Sequence, residues 1–143
     1  MLVRLLYASR ATGAVDHDLM SDILKKSRAH NPAAGITGAL CLCGGSGVFM
    51  QVLEGGRDAV SRLYSRIAAD PRHHDLTLLH FAEIGERRFG AWSMGQVNMS
   101  RLNPVLLLKY SETPSLDPFA LSGATSMALF DELVATASIF GQG

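Results

Sequence analysis

Short apolar or alternating stretches along the chain predict five β-strands. They cover residues 2–8, 36–43, 48–54, 76–84 and 91–99. Between them, residues 16–30 and 58–69 repeat apolar side chains every three or four positions, which predicts two helices with one packed face. Proline is expected to end both helices, because the residue before a proline disfavours the helical conformation. Pro32 would end the first helix and Pro71 the second. Asp16 is placed to cap the start of the first helix.

The resulting order, βαββαββ, predicts an α+β fold with a ferredoxin-like sheet. Both helices are expected on one face of the sheet. The other face also carries apolar residues, among them Leu6, Met50 and Val52, and it needs a cover. Two tail helices, residues 103–110 and 122–140, a second subunit, or both are expected to supply that cover.

Gln51 interrupts the apolar pattern of the third strand. Strand alternation puts its side chain on the same face as Phe49 and Leu53. An unpaired buried amide costs roughly 1–3 kcal/mol, so a partner for Gln51 is expected.

A groove between the two helices offers that partner. The chain segments that follow the helices are predicted to lie at the same end of the sheet, and Tyr7 and Gln51 are candidates for the groove floor. Apolar walls with a few converging polar groups are typical of a small-ligand site.

The composition of the chain argues against several classes of protein. Thirteen basic and 13 acidic residues give a net charge of zero, which argues against a nucleic-acid-binding protein. The longest aliphatic run, residues 105–108, is too short to span a membrane, and no secretory signal is visible. Cys41 and Cys43 lie two apart on one strand, which argues against a disulfide framework or a metal site and favours the cytoplasm.

Five motifs, in order and close to the family spacing, resemble the BLUF domain, a family of blue-light sensors that use a flavin. They are Leu6-Tyr7-Ala8-Ser9, Asn31 with Gly35-Ile36-Thr37-Gly38, Phe49-Met50-Gln51-Val52-Leu53-Glu54-Gly55, Asp70-Pro71-Arg72-His73 and Phe89-Gly90-Ala91-Trp92-Ser93-Met94. The resemblance implies a flavin cofactor, with FAD the expected form and FMN or riboflavin as alternatives. It implies a flavin-binding photosensor domain over residues 1–99. The helices predicted in the tail make residues 100–143 a helical extension that packs on the sheet.

The resemblance also implies roles for matched residues. Gln51 would hydrogen-bond near flavin N5 and O4, and Tyr7 would bond to Gln51 and give an electron and a proton on excitation. Asn31 would hold the pyrimidine edge of the flavin, and His30 is a further binding candidate. The loop that contains Asp70, Arg72 and His73 would clamp the cofactor. Trp92 and Met94 would relay the rearrangement of Gln51.

A glutamine suits a switch because its amide has a donor end and an acceptor end, so rotation or tautomerisation reverses what it offers to both neighbours. The implied output is a changed interaction with an unidentified downstream protein or with a second subunit, as in a homodimer, without enzymatic activity, nucleic-acid binding or membrane insertion. The chain looks like one of the short, stand-alone members of the family.

Without the family resemblance, the residues leave two other functions open. One is a small flavin- or metabolite-binding enzyme on the same fold, although no nucleophile or base pair stands out. The other is a dimerising domain with an empty groove. Taken singly, Tyr7 fits a core tyrosine, Trp92 and Met94 fit core positions, and Asp70 and His73 fit a solvated turn.

Overall fold

A computed structural model describes residues 1–15, 17–43, 45–136 and 139–140 of the 143-residue chain. The first part of the chain contains β1 (Leu2–Ala11), α1 (His17–Ala34), β2 (Thr37–Cys43), β3 (Val48–Gly56), α2 (Arg57–Ala68), β4 (His73–Ile84) and β5 (Gly95–Val97). The tail adds α3 (Pro104–Tyr110), α4 (Gly123–Thr136) and β6 (Ile139–Phe140).

The strands form one sheet in the order β4-β1-β3-β2-β5-β6. β1 pairs with β3 and β4, and β2 pairs with β3, all antiparallel, whereas β2 and β5 pair in parallel. The first four strands therefore have the order and directions of a ferredoxin-like sheet, which confirms the predicted fold class.

Two apolar layers lie on opposite faces of this sheet. On one face, α1 and α2 bury Val3, Leu5 and Leu53 of the central strands. On the other face, α3 and α4 cover Leu6, Met50 and Val52 with side chains that include Leu107, Leu129, Phe130 and Leu133. Tail helices were predicted to cover this second face, and in this structure they do.

The start of α4 lies very close to the sheet. A Cβ atom at Gly123 would collide with the carbonyl oxygen of Leu79 in β4, so glycine permits the contact. α4 ends at Thr136, and residues 139–140 pair with β5, so the predicted helix to residue 140 was too long.

The prediction that Pro32 ends the first helix is wrong. The helix continues through Pro32 to Ala34, and Gly35 ends it with a φ of 70°. The backbone N–H of Ile36 donates to the Asn31 carbonyl at 2.9 Å and that of Gly35 to the Pro32 carbonyl at 3.2 Å, which is a Schellman motif. Asn31 therefore lies in the last helical turn. The cap proposed for Asp16 lies outside the described residues.

The other differences concern strands. β4 begins at His73, three residues earlier than predicted, and β5 has three residues instead of nine. Residues 91–94 are therefore not in a strand, and alternation does not fix their side-chain directions.

A buried ion pair joins β1 to β3 on the tail-helix face. The Arg4 Nε donates to a Glu54 carboxylate oxygen at 2.8 Å, and both side chains are at least nine-tenths buried. The same carboxylate accepts from the backbone N–H groups of Arg88 and Phe89, the latter at 2.6 Å. Glu54 thereby fixes the start of the segment that leads to β5.

We expect Glu54→Gln to lower the free energy of unfolding by about 3–5 kcal/mol, because it leaves the Arg4 guanidinium buried without a counter-charge. Urea denaturation would measure this. The control is Glu83→Gln, which removes an exposed ion pair with Arg57 and should cost no more than about 1 kcal/mol. Equal losses in the two variants would contradict a structural role for the buried pair.

Candidate functional site

A cavity of about 620 Å³ lies between α1 and α2, above β1, β2 and β3. Its apolar lining includes Ile23, Leu40, Phe49, Leu63 and Ile67. All seven predicted cofactor-binding residues border it, namely Tyr7, His30, Asn31, Gln51, Asp70, Arg72 and His73. Its volume is within the range of small-molecule and cofactor sites.

The two segments that follow the helices reach this cavity from opposite ends of the sheet, contrary to the sequence argument. The turn after α1 contacts the end of β3, where the Gly35 carbonyl lies beside Gly55. The segment after α2 lies at the end of β1, where the Arg72 carbonyl accepts from the backbone N–H of Thr12 at 2.9 Å. Because β3 runs antiparallel to both β1 and β2, the two helices finish at opposite ends, and the cavity extends along the groove between them.

A chain of three buried side chains begins at the cavity floor, where Tyr7 and Gln51 border the cavity. The Tyr7 hydroxyl donates to Gln51 Oε1 at 2.5 Å, and Gln51 Nε2 donates to Met94 Sδ at 3.3 Å. Tyr7 and Gln51 are direct partners in the β1–β3 register, which explains why their side chains meet. The amide thus has a partner at each end, as the burial argument required.

Burial raises the pKa of the Tyr7 hydroxyl far above its usual value, and the nearby Tyr64 and Asp70 raise it further. Tyr7 therefore keeps its proton at any physiological pH and acts as a donor to Gln51. The Tyr64 ring is 5.7 Å from the Tyr7 ring, between centroids, and tilted by 54°. This packing limits the orientations open to the phenol.

Asn31 is 3% exposed and faces both the cavity and the segment before β5. Its Nδ2 donates to the Ser93 carbonyl at 2.7 Å. A group in the cavity that bonded to this amide would therefore be linked to residue 93 through one side chain.

The loop after α2 is tied to α1 by Arg72. Its guanidinium donates to both Asp70 oxygens at 2.6–3.0 Å and to Asp22 Oδ2 at 2.7 Å. The hydrogen bond from Arg72 holds the pKa of Asp70 below its usual value, and hydrogen bonds and charges of Lys26 and Arg72 do the same for the pKa of Asp22. The network joins the two walls of the cavity.

His73 is positioned by two contacts, one to α2 and one to β1. Its Nε2 lies 2.6 Å from the Ile67 carbonyl, and its Nδ1 lies 2.7 Å from Ser9 Oγ. A carbonyl can only accept, so Nε2 donates to it, and in the neutral ring Nδ1 then accepts from the serine. His30, in contrast, is exposed at the border of the cavity.

Trp92 and Met94 lie on opposite faces of the sheet. Met94 is fully buried on the side of α1 and α2, where it contacts Gln51. Trp92 packs in the tail-helix layer, with its ring 6.5 Å from that of Phe89. The strand predicted over residues 91–99 would have put both side chains on one face, since residues two apart on a strand point the same way.

Two exposed cations at the border of the cavity were missed. Lys26 on α1 and Arg66 on α2 both line it. Lys26 lies four residues before the predicted contact His30, and residues four apart share a helix face. Arg66 lies in the last turn of α2, directly before the loop that carries Asp70. These positions were the available signal.

We expect acid to weaken the Asp70–Arg72 network. Because the pKa of Asp70 is lowered in the folded state, its stabilising effect is present above the usual carboxyl value of 3.8 and is lost as the pH falls through the lowered pKa. The difference in unfolding free energy between the wild type and Asp70→Asn should therefore be constant from about pH 5 to 7 and shrink below that range.

Denaturation at a series of pH values would measure this difference. Asp117→Asn is the control, because Asp117 is exposed and its side chain makes no capping hydrogen bond. A difference for Asp70→Asn that stayed constant to pH 2 would contradict the network.

Among the described residues, no helix is both long and apolar enough to cross a membrane. The described part of the chain also holds no group of three or more His, Cys, Asp or Glu side chains suited to a metal ion.

Comparisons with known proteins agree with the geometry. The beta subunit of the photoactivated adenylate cyclase of Euglena gracilis is 39% identical over 94 residues, which are 65% of this chain and 11% of that protein. The chain thus spans only a small part of this relative.

Two solved structures match almost end to end. BlsA in its photo-activated state has a TM-score of 0.80 at 32% identity, with 96% of this chain and 99% of that chain covered. The dark-state structure of BlrB, a BLUF protein, has a TM-score of 0.76 at 34% identity, with 94% and 95% covered.

The family model for BLUF, described as sensors of blue light using FAD, matches residues 2–95. This match covers well over half of the chain and confirms the resemblance drawn from the five motifs. The chain belongs to the BLUF family of blue-light sensors.

Proposed function

We propose that this chain senses blue light through a flavin bound in the cavity between α1 and α2, and that Tyr7 and Gln51 are its photoactive residues. The observation that carries the proposal is the buried chain that runs from the Tyr7 hydroxyl and the Gln51 amide, both at the floor of the cavity, to Met94 behind them. FAD is the form that the family description names.

The residues present fit a flavin. The flat ring system of a flavin needs apolar walls, and Leu40, Phe49 and Ile67 supply them. Its pyrimidine edge needs amide partners, and Gln51 and Asn31 are both at least 96% buried and both border the cavity. The cations Lys26 and Arg66 at the rim suit the phosphate groups of a flavin nucleotide.

A bound flavin supplies the absorption of blue light and the oxidising power of its excited state. The chain supplies the response. Tyr7 is an oxidisable phenol that keeps its proton in the dark, so it can give up an electron and then that proton. Gln51 can reverse its donor and acceptor ends between Tyr7 and the cofactor, while Asn31, Asp70, Arg72, His73 and His30 hold the cofactor in place.

We further propose that residues 1–99 are the sensory unit and residues 100–143 an extension of it, whose helices α3 and α4 pack on the sheet. The rearrangement of Gln51 would reach the surface through Met94 and Trp92 and alter binding to a downstream protein or to a second copy. The cyclase activity named for the Euglena gracilis relative is not proposed for this chain. The free thiols of Cys41 and Cys43 support a cytoplasmic location.

The absorption spectrum tests the proposal. Purified protein should be yellow, and blue light should shift its flavin bands slightly to the red, with recovery in the dark. Gln51→Leu should keep the flavin and lose the shift, since it removes both amide ends. Tyr7→Phe should also lose it, since the hydroxyl that bonds to Gln51 is absent.

Tyr110→Phe is the matched control, because it deletes a tyrosine hydroxyl on the tail-helix side, where Tyr110 bonds to Glu132. Its photocycle should be unchanged. Colourless protein that takes up no added flavin would overturn the proposal, and a normal red shift in Gln51→Leu would remove Gln51 from its role.

Met94→Leu tests the relay. It keeps a side chain of similar size but removes the sulfur that accepts from Gln51. We expect the red shift to remain, while the difference in amide exchange at β5 between light and dark becomes smaller.

Met50→Leu is the control for this variant, because Met50 is equally buried but lies on the opposite face of β3. If Met94→Leu preserves the full light-dependent difference at β5, Met94 is not the relay.

A further inference from the structure

The segment that carries Met94 is held in an unusual way. β5 has three residues, and only Gly95 and Gln96 are in register with β2. Residues 91–94 precede it outside any strand. A ladder of two paired residues cannot fix the position of Met94 by itself, so other contacts must hold it.

Three consecutive carbonyl groups make those contacts. The Trp92 carbonyl accepts from the backbone N–H of Gly38 in β2 at 3.1 Å, and the Ser93 carbonyl accepts from Asn31 Nδ2 at 2.7 Å. The Met94 carbonyl accepts from Arg28 Nε at 3.4 Å and from Arg28 Nη2 at 3.3 Å. Two of the three donors are thus side chains of α1, three residues apart on the same face of the helix.

We propose that Arg28 is a positioning residue that sets the lifetime of the light-induced state by holding the Met94 backbone where its sulfur can accept from Gln51. This inference rests on the proposed role of Gln51 as the light-switched amide. Arg28 is half-buried and is not among the residues that border the cavity, so it acts through Met94 and not on the cofactor.

The chemistry of the guanidinium suits this task. Its N–H groups are fixed in one plane, so Nε and Nη2 can both point at a single carbonyl oxygen, whereas a lysine ammonium offers one compact charge on a flexible stem. Each of the two contacts is long for a hydrogen bond, so the hold depends on the pair and on the charge.

Asn31 cannot separate positioning from binding, because it holds Ser93 and also borders the cavity. Arg28 can. Removing it frees the Met94 carbonyl while Tyr7, Gln51 and the cavity lining stay intact. The state in which Gln51 bonds to Met94 then loses support, and return to that state after illumination slows.

Hydrogen–deuterium exchange on the 143-residue chain, kept in the dark as purified, tests the first step. In Arg28→Ala, the amides of residues 94–97 should exchange about tenfold faster, which corresponds to the loss of one charged hydrogen bond. This readout needs no flavin, so it tests the contact even if the protein proved colourless and the proposed function failed.

The second step is measured as recovery of the flavin spectrum after a blue-light pulse. Arg28→Ala should still show the red shift, but its dark recovery should be severalfold slower. Arg28→Lys keeps the charge but has a single donor nitrogen in place of the paired Nε and Nη2, so it should fall between Arg28→Ala and the wild type in both measurements. That graded rescue would not follow if the arginine served only to fill space.

Lys25→Ala is the matched control, because Lys25 is an exposed cation on the same helix. It should leave exchange and recovery unchanged. The proposal is overturned if Arg28→Ala, folded by circular dichroism, equals Lys25→Ala in both measurements. It is also overturned if exchange rises while recovery keeps its wild-type rate.

Discussion

The antiparallel register between β1 and β3 is the constraint on which the rest of the structure depends. It pairs Tyr7 with Gln51 and Arg4 with Glu54 in one ladder. Because positions 51 and 54 differ by an odd number, the two pairs point to opposite faces of the sheet. A slip of one residue would exchange the faces of every side chain on one strand, moving the amide out of the cavity and the carboxylate into it. The site and the buried ion pair are therefore two results of one alignment.

Much of this arrangement could be predicted because strand alternation is strictly local. The faces of Tyr7 and Gln51, the α1–α2 layer and the tail helices opposite it all follow from periodicity. Periodicity did not indicate where α1 would end. Pro32 lies inside the last turn although it cannot donate the i→i−4 hydrogen bond of that position, and the turn is closed instead by the positive φ of Gly35 and by the Schellman bonds.

The segment from Arg87 to Met94 was harder to predict, because its contacts come from distant parts of the chain. Glu54 binds the backbone N–H groups of Arg88 and Phe89, and the Arg87 guanidinium donates to the Gly35 carbonyl at 2.7 Å. The Phe89 ring then packs edge-on against Phe130 of α4, 6.1 Å away. Such contacts join both layers of the molecule through a stretch with no regular structure. No local pattern encodes them, so alternation at Trp92 and Met94 was mistaken for a strand.

The contacts of the Gln51 amide differ greatly in strength at its two ends. Its oxygen accepts from a phenol at 2.5 Å, whereas its nitrogen donates to a thioether, which is a weak acceptor, at 3.3 Å. Breaking the nitrogen contact therefore costs little, and any oxygen or ring nitrogen brought within reach would compete for that N–H on favourable terms. The oxygen end therefore holds the amide in this orientation, and its bond to Tyr7 is the one that a reversal of the two ends would have to break. The Met94 sulfur gives the Gln51 N–H a partner in an apolar interior, but a partner that a stronger acceptor could replace.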